Sequence, residues 1–111
     1  MIRFRWYRSG ELFGMRYDFE HNDCLPAHVH DRENQHNVIV LEGMVALDLP
    51  GGVKRYGSRG DVLDFDGSER HTIRCLSRYA TTLNMWLYGI PEGYDALPAS
   101  EHEGIIECHK S

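Results

Sequence analysis

Between residues 11 and 89 the chain is cut into strand-length apolar runs by turn residues, and no stretch before Pro91 keeps the spacing of an amphipathic helix. That rhythm confines the fold to β-structure. Residues 11–20, ELFGMRYDFE, put Phe13, Met15, Tyr17 and Phe19 on one face of an extended chain and Arg16, Asp18 and Glu20 on the other, as a half-buried strand requires. Residues 36–42, HNVIVLE, are rich in β-branched side chains. Gly43 separates them from MVALDL, which runs into the turn signal Pro50-Gly51-Gly52, so two strands and a hairpin are expected there. Short strands follow at residues 53–56, 62–65 (VLDF), 71–76 (HTIRCL) and 80–89 (ATTLNMWLYG). The tail after Pro91 has Gly, Pro and little periodicity, and reads as a wrapping segment with at most one short helix or strand. With 111 residues, 41% of them hydrophobic, one domain over residues 1–111 is expected. Many short strands between Gly-rich turns pack as a sandwich or a small barrel, so the fold class is all-β.

Charge and composition exclude several functions. A net charge of −5, with arginines scattered among acids, offers no patch for a phosphate backbone, and nucleic acid is not an expected partner. No run approaches the roughly 18 apolar residues of a membrane span. The N-terminus MIRFRWYRSGE lacks the apolar run of a signal peptide, so the expected location is cytoplasmic, with no membrane contact. Cys24, Cys75 and Cys108 are odd in number and far apart, which suits reduced thiols rather than a disulfide framework.

The chemistry gathers in one segment and one distant residue. In PAHVHDRENQH, His28 and His30 are two apart, so on an extended chain both rings project from one face, close enough to chelate a metal ion. His36 shares their even-numbered phase and opens the strand in which Val38 and Val40 also point inward. His71 begins another strand, with Ile73 and Cys75 on its own face, and can supply a fourth ligand from across a barrel. Neutral imidazole is a good ligand for first-row divalent metals. His21, His102 and His109 have no such context and read as ordinary surface or core residues. A zinc knuckle built on Cys24 with His28 and His30 would lack the paired cysteines such sites use. Cys75 is expected to fill a core position as a small apolar residue, close enough to the metal to be oxidisable.

These residues resemble the two motifs of the cupin family. The first motif has a glycine, two histidines separated by one residue, a glutamate after three or four more, and a glycine seven positions beyond it. Here Asn22, His28, His30, His36 and Gly43 take those places, His36 standing for the glutamate. Asparagine tolerates the left-handed backbone that the opening glycine adopts. Five residues separate His30 from His36, one or two more than usual, and Glu33 inside that longer loop is the rival metal ligand. In the second motif Gly60, Asp66, Ser68, His71 and Cys75 occupy the positions of a glycine, a proline, a glycine, a histidine and an asparagine. The motifs cover about residues 22–43 and 60–75. The resemblance implies a double-stranded β-helix, a jelly-roll barrel holding one divalent metal ion (Fe, Mn, Zn or Ni) through His28, His30, His36 and His71. It also implies a homodimer, with the apolar N-terminal strand (Ile2, Phe4, Trp6, Tyr7) at or near the interface.

Four neutral imidazoles leave the ion's double charge uncompensated, so the site is expected to favour a small anionic or enolisable ligand. Six-coordinate geometry leaves two open positions. With iron or manganese that implies a dioxygenase, the leading expectation; with zinc, nickel or manganese it implies a Lewis-acid isomerase, lyase or hydratase. The alternatives are a metal-loaded binding or sensing module without turnover, and a closed tetrahedral zinc without chemistry. No helix-turn-helix is read in these 111 residues, so a regulator acting alone is the weaker expectation and an adaptor stays open. The expected pocket walls, Met15, Tyr17, Val38, Val40 and Ile73, are largely apolar, so the rest of the ligand is expected to be small and modestly polar. Tyr17, Glu33 and Tyr88 are the candidate acid-base groups.

Overall fold

Among the described residues the period-two pattern becomes ten strands in two antiparallel sheets. The computed structural model describes residues 1–9, 12–28, 35–66, 70–86 and 103–106. In chain order the strands are β1 (Ile2–Ser9), β2 (Leu12–Glu20), β3 (Cys24–His28), β4 (Gln35–Glu42), β5 (Met44–Asp48), β6 (Lys54–Ser58), β7 (Val62–Asp66), β8 (His71–Cys75), β9 (Tyr79–Trp86) and β10 (Glu103–Ile106). One sheet has the order β10-β1-β2-β9-β4-β7 and the other β3-β8-β5-β6. Only β5 and β6 form the expected hairpin through the turn at residues 50–52, where Pro50–Gly52 make a single 3-10 turn. From β2 to β9 the other consecutive strands lie in different sheets, so the chain winds back and forth across the core as a double-stranded β-helix. Among the described residues no helix is long and apolar enough to cross a membrane.

The faces fall as the alternation demands. Met15, Tyr17 and Phe19 are buried while Arg16 and Glu20 are exposed, and His71, Ile73 and Cys75 are buried on β8. Val38 and Val40 from one sheet and Val45, Leu47 and Ile73 from the other close the core, each fully buried. The apolar N-terminus is covered within the chain: β1 pairs with β2 and β10, Ile2 is fully buried, and Phe4 and Trp6 pack against the core. Tyr7 alone of the four expected interface residues stays largely exposed, so burying this strand does not require a second subunit.

Three of the four motif positions that stand for glycines do what glycines do; the fourth, Ser68, lies outside the described residues. Asn22, at the β2–β3 turn, has φ 67°, the one positive value among the described non-glycine residues. Asp23 holds that turn: its carboxylate accepts the Glu20 N–H at 2.9 Å, and its own N–H donates to the Glu20 carbonyl at 3.0 Å. Asn22→Val is therefore expected to cost about 1–2 kcal/mol and Asn22→Gly to be nearly neutral, as read by urea denaturation. Gly60 has φ 91°, and its N–H donates to the Val40 carbonyl at 2.9 Å. Gly43, where the chain leaves β4 for the other sheet, has φ 73°, and a Cβ there would run into the Tyr79 carbonyl oxygen.

Candidate metal centre

Strand β3 carries the first candidate ligand, and a bulge sets its position. Leu25 pairs with Ile73 and His28 pairs with His71, so Pro26 and Ala27 together oppose Thr72 alone. The extra residue shifts the phase of β3, and His28 falls in the series of rungs to which the buried Leu25 belongs. Without the bulge, Ala27 would hold that place. Pro26 suits it: β3 is an edge strand, and a residue without an N–H is tolerated at an edge or a bulge. The even-numbered phase read from the sequence thus reaches the His71 rung only because the strand slips by one.

His71, first residue of β8, is fully buried. Its ring lies 4.5 Å, centroid to centroid, from the ring of Phe65 on β7, inclined by 60°. This contact joins the two sheets. Phe65 is also the backbone partner of His36, whose other neighbour across the ladder is Trp86 on β9. The backbone positions of His28 and His36 are therefore tied to His71, one by direct pairing and the other through Phe65. The side chains of His28 and His36, and the whole of His30, Glu33 and Tyr88, lie outside the described residues. His71 is the single member of the predicted set whose side chain is described, and among the described residues no group of three or more His, Cys, Asp and Glu gathers. The residues whose backbone positions the register ties together here are histidines, and imidazole is a donor that fits a divalent first-row ion.

The predicted pocket residues Met15, Tyr17, Val38, Val40 and Ile73 are all buried on the inner faces. The inner face around them is less apolar than expected. On β9, Ala80, Thr82 and Asn84 are buried in the same alternating row; Asn84 pairs with Met15 and Val38, and Thr82 with Tyr17 and Val40. The alternation in ATTLNMW already placed these two polar residues in phase with Ala80, a signal that a search for metal ligands passes over. Tyr17 lies two rungs from the His36 rung, roughly 13 Å along the strands, away from the end where the histidine positions lie. Cys75 ends β8, four residues from His71, in the core position expected for it. Burial pushes its thiol up from the ordinary value, against hydrogen bonding to Ser77, whose carbonyl accepts the S–H at 3.3 Å. That keeps it protonated and unreactive near neutral pH.

Comparison with known proteins agrees on the architecture. No family model and no curated protein matches the chain. Among solved structures it is similar to an RmlC-like cupin protein from Desulfovibrio desulfuricans, with 24% identity, a TM-score of 0.66, and coverage of 75% of this chain and 79% of that one. KdgF from Halomonas sp. is 20% identical, with a TM-score of 0.68 over 77% of this chain and 78% of that one. The cupin domain of an XRE family transcriptional regulator from Enterobacter cloacae is 14% identical, with a TM-score of 0.70 over 80% of this chain and 98% of that one. At these identities the likeness is one of fold: the chain has the cupin double-stranded β-helix.

Proposed function

We propose that this cupin-fold chain binds one divalent metal ion, iron, manganese, zinc or nickel, through His28, His30, His36 and His71, and acts on a small anionic or enolisable substrate, with dioxygenation the leading reaction. The observation that carries the reading is the bulge at Pro26 and Ala27, which puts the His28 position on the rung of a fully buried His71. Bulges recur beside active sites, where they re-aim a side chain. When bound, the ion supplies Lewis acidity and, as iron or manganese, access to oxygen chemistry. The chain's own part is to orient and to exclude water. His71 is held against Phe65, and Val38 and Ile73 close the core behind the histidine positions. With four neutral ligands, charge compensation has to come from the substrate, which selects an anion.

The test is elemental analysis of protein purified without added metal, repeated on two loop variants. His36→Ala is expected to lower the metal content severalfold and Glu33→Ala to leave it nearly intact. The reverse result would reassign the fourth ligand to Glu33. A cobalt(II)-loaded protein whose absorption bands show a closed four-coordinate ion, unmoved by small chelating anions, would replace the enzyme reading with a structural metal. A second reading, a metal-loaded sensing module, is favoured by the match to 98% of a regulator's cupin domain. Binding of anions without turnover would select it. The assembly proposed for either is a homodimer.

A further inference from the structure

Two side chains inside the barrel are polar, buried and unmatched. Asn84 is 1% exposed and Thr82 is fully buried, and both amide atoms of Asn84 and the hydroxyl of Thr82 lack a hydrogen-bond partner among the described residues. Buried groups left without a partner carry their full desolvation cost, and native cores seldom leave them so without a reason. Their place is informative. His36, Val38 and Val40 follow one another along β4, and their partners on β9 are Trp86, Asn84 and Thr82. Asn84 thus stands one rung, roughly 7 Å, from the His36 rung, and Thr82 one rung further. Of their partners across the ladder, Met15, Val38 and Val40 offer neither donor nor acceptor of useful strength, and the hydroxyl of Tyr17, beside Thr82, does not bond to it.

Resting on the reading that the substrate meets the metal at the histidine end, we propose that Asn84, assisted by Thr82, is the specificity-determining residue for the far end of the substrate. A carboxamide side chain presents one acceptor and two donors on a single edge. A second carboxylate on the substrate would satisfy the amide N–H groups and leave Asn84 Oδ1 unmatched. A group that both donates and accepts satisfies the whole edge. The substrate class is therefore a small anion with a neutral polar group, a carboxamide being the matched case, about one rung from its metal-binding end. This revises the expectation of a largely apolar pocket. A site built to hydrogen-bond a substrate discriminates far more strongly than an apolar one, because the analogue lacking the polar group leaves buried atoms unpaired.

The experiment compares two acids of nearly equal shape, succinamate and 4-methylpentanoate, on the protein as purified. Calorimetry is expected to show the native protein binding succinamate at least tenfold more tightly, and Asn84→Leu abolishing or reversing that preference with metal content unchanged. The Leu variant should also keep or raise its Tm, since an isosteric apolar residue removes an unsatisfied group. Equal affinity for the two acids in the native protein overturns this inference alone. A fall in Tm for Asn84→Leu also overturns it, because the amide would then be anchored by buried water as part of the structure. Binding of neither acid overturns both this inference and the anion reading of the metal site. A preference for succinamate that survives removal of the metal with a chelator upholds the role of Asn84 and separates it from that reading.

Discussion

His71→Leu is expected to lose at least 100-fold in metal affinity, about the upper end of what perturbing a metal site through its supporting groups costs, since here a ligand itself is removed. Leucine retains an apolar body against Phe65, whose ring the His71 imidazole touches at 4.5 Å between centroids. It should therefore keep most of the packing while removing both ring nitrogens. His71→Ala should lose the metal equally and in addition open a cavity, at about 2–4 kcal/mol, because the site is completely enclosed. Metal content per chain and urea denaturation in the presence of a chelator separate the two effects. Full metal retention by the Leu variant would remove His71 from the ligand set.

The second large effect is on the fold. Gly43→Ala is expected to destabilise the protein by about 3–5 kcal/mol in urea denaturation, at the exceptional end for a single substitution. Two costs combine. The residue has φ 73°, which an L side chain adopts at about 1–2 kcal/mol. The added methyl would also meet the Tyr79 carbonyl oxygen and lie 2.5 Å from Ser77 Oγ, and neither can yield freely. Ser77 Oγ accepts the Met44 N–H at 2.9 Å and donates to the Tyr79 carbonyl at 2.6 Å, so moving it breaks the bonds that seat the start of β5 against β9. Gly51→Ala is the control. Its φ of 74° is the same, but nothing lies within 4 Å of the added carbon, so only the conformational cost of about 1–2 kcal/mol should appear. Equal losses at the two glycines would mean that the strand switch at Gly43 relaxes around the methyl group.

Much of the barrel was legible because its signals are local. The inward faces of β2, β4 and β8 follow from a period of two, and burial of Met15, Tyr17, Val38, Val40 and Ile73 bears it out. The left-handed backbone at Asn22 agrees with the motif resemblance, which places it where a glycine is usual. What a local pattern cannot carry is pairing between distant segments. Nothing in HNVIVLE and MVALDL says that these strands, one glycine apart, belong to opposite sheets. Nor does the apolar N-terminus disclose that β2 and β10 will cover it.

The candidate site divides along the same line. The residue types, histidines two apart and a distant histidine opening a strand, were fixed by composition and spacing. The pairing of the His28 and His71 positions depends on one slipped residue: a register shift between Leu25 and His28 changes the face of a strand without changing its sequence, so only the partner strand β8 decides that His28 meets the His71 rung. The same holds for Asn84 and Thr82. Their inward phase was written in the alternation of β9, but whether a buried amide finds a partner is a property of every strand around it. Only the packed sheets leave both groups unmatched among the described residues, one and two rungs from the His36 rung.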